Sequence, residues 1–160
     1  MAELGPTNIY GNLYVSHDIN VGNNINVDGV MYGVSSSAWY ADLAENFIGD
    51  KNLPIGTVVE ISNKNNIEIQ PATKNSKSVI GVISESPAYL MNSQLMGVPV
   101  ALTGRVKVLI KGKIKKGDFI VPYGNGYAKK GKFFQYKYKI GCTLEYKYTK
   151  QVGLVECIIK

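Results

Sequence analysis

The sequence predicts an all-β protein, in which a short trimeric β-helical or β-spiral shaft precedes a small β-barrel or β-sandwich head with one short helix. Three observations support this prediction. Gly, Val, Ile, Tyr and Asn are abundant, a mixture that favours strands and tight turns. Apolar pairs recur with a fixed period in residues 9–34. From Leu53 onward, apolar runs alternate with turn sequences, as expected for about eight to ten short strands.

The periodic segment predicts a shaft made of several chains. Each unit holds two apolar residues around one polar residue, which strand alternation places on one face. So short a unit cannot bury that face alone and needs stacked neighbours. We therefore expect three identical chains to wind around one axis, although a plain meander of strands packed on the next domain is the alternative. The expected shaft core comprises Leu13, Val15, Ile19, Val21, Ile25 and Val27.

The chain divides into three predicted parts. Residues 1–8 contain Gly5-Pro6, show no periodicity and are predicted to be an attachment peptide. Residues 9–34 form the shaft, and residues 35–160 form the head. Residues 35–48 are the junction, where Ser35 to Ser37 are expected to cap a short helix. Three apolar residues there are expected to pack between the two blocks, namely Trp39, Leu43 and Phe47.

The head sequence contains strand and turn signals throughout. Asn125-Gly126 is the expected turn of a hairpin. The late segments "FFQYKYKIGCTLEY" and "QVGLVECIIK" are predicted to be the last strands. Cys142 and Cys157 fit no zinc-ligand spacing, so we expect free thiols, with a disulfide between neighbouring strands as the alternative.

Charge is distributed unevenly along the chain. Residues 1–100 carry four lysines and nine acidic residues, whereas residues 101–160 carry thirteen lysines and one arginine against three acidic residues. We expect most of these lysines to cover a solvated outer face, although a basic half can also attract nucleic acid or anionic glycans. There is no apolar run of transmembrane length and no signal-peptide pattern, so we expect synthesis in a cytoplasm and no membrane insertion.

Several segments of the head resemble a known domain. They are "WYADLAENF", "GTVV", "IGVISESPAYLMNS", "VPVALTGRVKV" and "IKKGDFIVP", and together they span roughly residues 38–128. In this order they resemble the YADLAE-type head domain of bacteriophage tail-fibre and appendage proteins, in which the domain follows a repetitive shaft. They are also distantly similar to the G2 peptidase family, the self-cleaving chaperone domain of some phage appendages. The resemblance implies a virion fibre whose C-terminal domain helps to register three chains.

Little in the sequence predicts catalysis. Self-cleavage needs a nucleophile and a base, for which Ser35, Ser36 and Ser37 with Asp42 and Glu45 are weak candidates. His17 lies in a shaft turn without the H-x-H pattern of iron-binding fibres, so no metal is expected. No nucleotide-binding glycine motif is present, and we predict no cofactor and no enzymatic activity.

The predicted function is therefore structural and adhesive. We expect a homotrimeric fibre protein of a virion, made in the host cytoplasm and joined to other virion proteins through its N-terminus. Tyrosines and lysines interleave late in the chain and are candidates for binding a cell-surface glycan. These candidates are Tyr136, Lys137, Tyr138, Lys139, Tyr146 and Tyr148. A self-cleaving intramolecular chaperone and a basic nucleic-acid-binding module are the two alternatives, and of these we do not expect nucleic acid to be the partner.

Overall fold

The computed structural model describes residues 9–23, 25–28 and 41–160. The chain divides into two compact units, Met1–Ser36 and Ser37–Lys160. The protein is almost entirely β, with 42% of residues in strands and 4% in helix, and it contains a closed five-stranded barrel with extra strands. The predicted all-β class and the barrel form of the head are confirmed.

Ten strands and one 3₁₀ helix are formed in the described residues. The strands are β1 Asp42–Phe47, β2 Val58–Ile61, β3 Ile69–Pro71, β4 Val79–Ile83, β5 Tyr89–Met91, β6 Val98–Lys111, β7 Phe119–Gly124, β8 Tyr127–Lys130, β9 Gly141–Thr143 and β10 Val152–Ile159. The 3₁₀ helix is Phe133–Tyr138.

The barrel is closed by the pairing of its last strand with its longest one. Hydrogen bonds connect the strands in the order β6, β8, β7, β9 and β10, and β10 then pairs antiparallel with β6 from Gly104 to Lys111. The first half of β6 extends beyond this ring and pairs with β1 on one edge and with β4 on the other. The extra strands β2 and β3 follow β4, and β5 pairs with β1.

The core consists of two apolar clusters that share β6. Inside the barrel, Val106, Val108 and Ile110 alternate inward along β6 and pack with side chains from β7, β8 and β10. A second cluster holds Val98 and Val100 from the first half of the same strand, with Phe47 partly buried against it. The alternation of buried and exposed positions along β6 therefore builds both halves of the core.

The short helix predicted over residues 35–48 is wrong for the residues that the structure describes there. Asp42–Phe47 is strand β1, with Asp42, Ala44 and Asn46 buried and the intervening side chains half-buried. Pairing with β6 outweighs the local helical tendency of this Ala-rich stretch, because an isolated helix of that length gains little stability. Trp39 and Ser35 to Ser37 lie outside the described residues.

The strand predicted across "FFQYKYKIGCTLEY" is also partly wrong. Phe133–Tyr138 is a 3₁₀ helix, and only Gly141–Thr143 is a strand. The alternation of Tyr and Lys suggested a strand, but the side chain of Gln135 is buried and donates a hydrogen bond to Asn75 Oδ1 at 2.9 Å. This hydrogen bond to a residue distant in sequence stabilises the 3₁₀ helix, so the segment does not extend as a strand.

Two local predictions in the head are confirmed. Asn125 and Gly126 have φ angles of 53° and 74° at the β7–β8 hairpin, as a two-residue turn of this hand requires. Cys142 and Cys157 are both free thiols. In the β9–β10 pair, Cys142 lies opposite Ile158 and Cys157 opposite Thr143, so the two side chains point to opposite faces and cannot be bridged. Burial raises the pKa of Cys157 to about 12.

A buried carboxylate fixes the turn after β3. Glu60 is 4% exposed and accepts hydrogen bonds from Gln70 Nε2 and Thr73 N, both at 3.0 Å, and from Thr73 Oγ1 at 3.1 Å. Desolvation raises the pKa of Glu60, but the hydrogen bonds to Ser76, Gln70 and Thr73 outweigh it and lower that pKa below its usual value. The ionised form of Glu60 thus stabilises the turn that leads to Ser76.

We expect Gly81→Ala to destabilise the head by about 1–3 kcal/mol, because a Cβ on Gly81 would overlap the carbonyl oxygen of Ala101 on β6. Chemical denaturation followed by circular dichroism measures the change. Gly22→Ala is the control, because no described atom lies within 4 Å of a Cβ built there. Equal stability of the two variants would contradict the tight approach of β4 to β6.

We expect Glu60→Gln to lower the free energy of unfolding at neutral pH by about 1.5–3 kcal/mol, since charge-assisted hydrogen bonds are lost. Because the folded pKa lies below the unfolded one, the stabilisation by Glu60 is complete above the unfolded pKa. It is lost as the pH falls through the folded pKa. The wild type should therefore lose its advantage over the variant on acidification.

Denaturation curves between neutral pH and about pH 3 check this dependence. Glu85→Gln is the control, because Glu85 is exposed and forms only a long surface ion pair with Lys107 at 3.7 Å. A stability gap that stays constant with pH would show that the charge of Glu60 is not responsible.

Candidate functional site

The predicted shaft residues present a row of apolar side chains to solvent in the single chain. All six are between 45% and 65% exposed, and they are Leu13, Val15, Ile19, Val21, Ile25 and Val27. No strand is formed within residues 9–23 and 25–28 of this one chain. The trimeric shaft stays a prediction, and the exposed row is the feature on which it depends.

His17 lies in the turn between two of these pairs. Its Nδ1 is 2.9 Å from Ser16 Oγ, and both side chains are exposed. This short-range contact orients the imidazole locally.

Of the residues considered for self-cleavage, Asp42 has the most specific environment. It is buried on β1, and Ser84 Oγ donates a hydrogen bond of 2.6 Å to Asp42 Oδ2. The pair lies at a groove of about 410 Å³ that is also lined by Arg105, Lys107 and Glu156. Asp42 is therefore a buried, hydrogen-bonded carboxylate and not the surface charge that its neighbours in sequence would suggest.

Glu45 is separated from Asp42 by the geometry of the strand. Asp42 faces the buried side of β1, whereas Glu45 is half-buried on the opposite face, where its Cα pairs with Val100 and Met91. The two carboxylates therefore cannot act together on one bond. Ser35, Ser36 and Ser37 lie outside the described residues, so no nucleophile position is defined there.

Four of the six residues predicted to bind a surface ligand lie in or beside one depression. Lys137, Tyr138 and Lys139 line it, and Tyr136 precedes them on the 3₁₀ helix. We call this depression the lysine pocket. It has a volume of about 110 Å³, and its rim side chains are Ser76, Lys77, Lys137, Tyr138, Lys139 and Lys160.

The lysine pocket is assembled from segments that are distant in sequence. Ser76 and Lys77 come from the turn before β4, Lys160 follows β10, and the floor is apolar, with Val82, Leu102 and Ile159. Gln135 joins two of these segments, because its amide donates to Asn75 Oδ1 at 2.9 Å and its Oε1 accepts from Lys132 N at 3.2 Å. The basic residues of the 3₁₀ helix are thereby held opposite the turn.

The charged side chains that line the lysine pocket are all lysines. Four lysine side chains line it and no acidic side chain does. Lys137 Nζ lies 5.1 Å from the ring centroid of Tyr138, and Lys139 Nζ lies 5.3 Å from that of Tyr136. The pKa of Lys139 is raised above its usual value, first by its electrostatic interaction with the Cys142 side chain and then by that with Tyr136. Lys139 therefore carries a positive charge at neutral pH.

The other two predicted binding residues are not part of this pocket. Tyr146 and Tyr148 are exposed and stack on each other, with ring centroids 6.0 Å apart and an interplanar angle of 7°. Their faces are partly occupied by each other, and neither residue lines the lysine pocket.

Sequence reasoning missed Ser76, Lys77, Lys160 and Ser84. Nothing in the sequence beyond general basicity marked Lys77 and Lys160 as part of a binding site, because both lie far along the chain from Lys137. Ser84 had a weak signal, since it directly follows strand β4 and precedes Glu85 and Ser86 in a polar run. Only the folded sheet brings these residues together.

No protein-family model and no curated protein sequence matches this chain. Among solved structures, it is similar to the pre-mature form of gene product 12 of bacteriophage phi29, with a TM-score of 0.63, 17% identity and coverage of 83% of this chain and 24% of that one. It is also similar to the C-terminal fragment of phi29 gene product 12, with a TM-score of 0.55, 18% identity and coverage of 74% and 100%.

A third similar structure is the N base of head fiber gp8.5 of bacteriophage phi29, with a TM-score of 0.49, 17% identity and coverage of 74% and 93%. The chain spans only 24% of the length of the first structure. At these identities, the two likenesses to gene product 12 show a shared fold. The expected relationships to the YADLAE-type domain and to the G2 peptidase family stay predictions.

Proposed function

We propose that this chain is a structural, non-enzymatic protein of a bacteriophage fibre or appendage, that it acts as a homotrimer, and that it is located in the virion. The fold shared with gene product 12 of bacteriophage phi29 supports the phage assignment. The exposed apolar row of residues 9–28 is the single observation that carries the trimeric fibre.

The physical basis of the trimer is the burial of that row. Leu13 is 65% exposed and Ile19 is 63% exposed, and strand alternation would place each apolar pair on one face. Three chains around one axis would bring three such faces into one thin core. Burying one apolar pair contributes about 3 kcal/mol per chain before entropy is counted. Several pairs in succession are needed to offset the cost of ordering three chains.

The head and the N-terminus have separate roles in this proposal. The head, residues 35–160, registers the three chains and faces outward. Residues 1–8 attach the fibre to other virion proteins. The lysine pocket supports a further role of the head in binding a glycan of the host surface, because it combines concave shape with uncompensated positive charge.

Self-cleavage is a second candidate function, favoured by one specific observation. The buried Asp42 accepts a 2.6 Å hydrogen bond from Ser84 close to the junction, and a carboxylate in such contact with a hydroxyl can act as a base. The structure of a pre-mature form of gene product 12 is compatible with processing in a protein of this fold. The chain would then act as an intramolecular chaperone that is removed after assembly.

We expect Ile19→Asp combined with Ile25→Asp to abolish the trimer, because charged side chains cannot be buried in the thin core without a partner. Sedimentation velocity of the purified chain gives the oligomeric state. Asn20→Asp combined with Asn26→Asp is the matched control, since it adds the same charge at the polar positions between the apolar residues. A trimeric Ile19/Ile25 variant, or a monomeric wild type, would refute the shaft.

Intact mass spectrometry after expression separates the structural proposal from self-cleavage. We expect a single species at the 17.5 kDa of the full chain. Fragments that disappear in Ser84→Ala or Asp42→Asn would instead support the processing candidate. Glu45→Gln is the control, because Glu45 lies on the other face of β1.

A further inference from the structure

We propose that the lysine pocket binds the acidic group of a saccharide, either a carboxylate or a phosphate attached to a sugar ring. This inference rests on the proposed role of the head in host attachment and deepens it by naming the class of ligand. Four features of the pocket support this ligand: its positive charge, its volume, the hydrogen bonds that hold its walls, and the contacts of its tyrosines with lysines.

The lysines of the pocket form no ion pair with another described residue. In the described part of the chain, the three ion pairs use Arg105, Lys107 and Lys130. Lys77, Lys137, Lys139 and Lys160 form none, and no acidic side chain lines the pocket. Holding like charges together costs free energy. An anion bound between the ammonium groups would relieve that repulsion and accept charge-assisted hydrogen bonds.

The volume of the pocket limits the size of the ligand. At about 110 Å³, it accommodates one acidic group and part of one sugar ring. Leu102, the partly exposed residue of the apolar floor, would meet the C–H face of a ring. Ser76 Oγ, which accepts from Ser78 N at 3.2 Å, would accept from a ligand hydroxyl group with its second lone pair. The apolar floor and the polar rim would therefore contact the two kinds of surface that a saccharide presents, its C–H groups and its hydroxyl groups.

The pocket is formed before any ligand binds. Gln135 links the 3₁₀ helix to Asn75 on the opposite wall at 2.9 Å, and Asn75 N donates to the carbonyl of Pro122 at 3.3 Å. The backbone of Asn75 has a φ of 57°, which fixes the turn that leads to Lys77. Because the backbone of the walls is held in place, the ordering cost of binding is confined to the exposed lysine side chains.

The tyrosines argue against a nucleic acid as the ligand. Single-stranded nucleic acids bind largely by stacking their bases on open aromatic faces. Here an ammonium group lies over each of the nearby rings, Lys137 over Tyr138 at 5.1 Å and Lys139 over Tyr136 at 5.3 Å. One face of each ring is therefore covered by an ammonium group, which reduces the aromatic surface open to base stacking and favours an isolated acidic group as the ligand.

Isothermal titration calorimetry of the full chain at low salt tests the inference. The probes are an oligogalacturonide for the carboxylate, a sugar phosphate for the phosphate, a neutral galacto-oligosaccharide and a single-stranded oligonucleotide. We expect binding of at least one acidic saccharide probe and none of the neutral one. In Lys77→Gln combined with Lys139→Gln, the affinity should fall at least tenfold.

Lys113→Gln combined with Lys150→Gln is the matched control, because it removes the same charge from exposed lysines outside the pocket. An equal loss in both variants would overturn the site in favour of diffuse attraction. Tighter binding of the oligonucleotide through Lys77 and Lys139 would overturn it in favour of a nucleic-acid site, and absence of binding to every probe would overturn it outright. Thermal melting of each variant excludes unfolding as the cause of a loss.

The ligand proposal and the trimer proposal are tested by independent measurements. Every lining residue of the lysine pocket belongs to one chain, so binding is measured whatever the oligomeric state. Sedimentation velocity on the same sample reports the trimer independently. A trimer that binds no acidic saccharide would refute the ligand alone, whereas a monomer that binds it would refute the fibre alone.

Discussion

Strand β6 has strand partners on both of its edges near each end, and the rest of the head depends on that pairing. At Ala101 its neighbours are Ala44 on one side and Val82 on the other. At Ile110 they are Gly153 and Ala128. Since a strand paired on both edges leaves no backbone group to solvent, β6 is the natural centre of the sheet. Its length lets it belong to the barrel and to the extra strands at once.

The change of partner along β6 occurs at Gly104. This residue pairs with Asp42 of β1 and with Ile159 of β10, so one strand ends where the other begins. Its φ of 109° is unfavourable for a residue with a Cβ, and a Cβ there would meet the backbone of Ala41 and Asp42. Asp42 and the end of β10 therefore lie close together. Asp42 accepts the hydrogen bond from the buried Ser84, and Ile159 lines the lysine pocket.

The two units of the chain obtain stability from different sources. The head buries thirteen residues in its main apolar cluster within a single chain. The described part of the N-terminal unit exposes each of its repeated apolar side chains by 45% or more. Burial of apolar area is the dominant favourable term in folding and in association, so the described part of this segment has the composition of an interface. The exposed apolar side chains of this segment are the physical reason for proposing a fibre of several chains.

The sequence by itself determined the features that depend on neighbouring residues. The apolar runs and turn sequences from Leu53 onward predicted the all-β class, Asn125-Gly126 predicted a hairpin turn, and the apolar pairs predicted the repeat. Tertiary structure decided the rest. Pairing with β6 made Asp42–Phe47 a strand, and the buried Gln135 made Phe133–Tyr138 a 3₁₀ helix. The lysine pocket joins side chains from residues 76 to 160. Contacts between residues so distant in sequence depend on chain topology, which local periodicity does not encode.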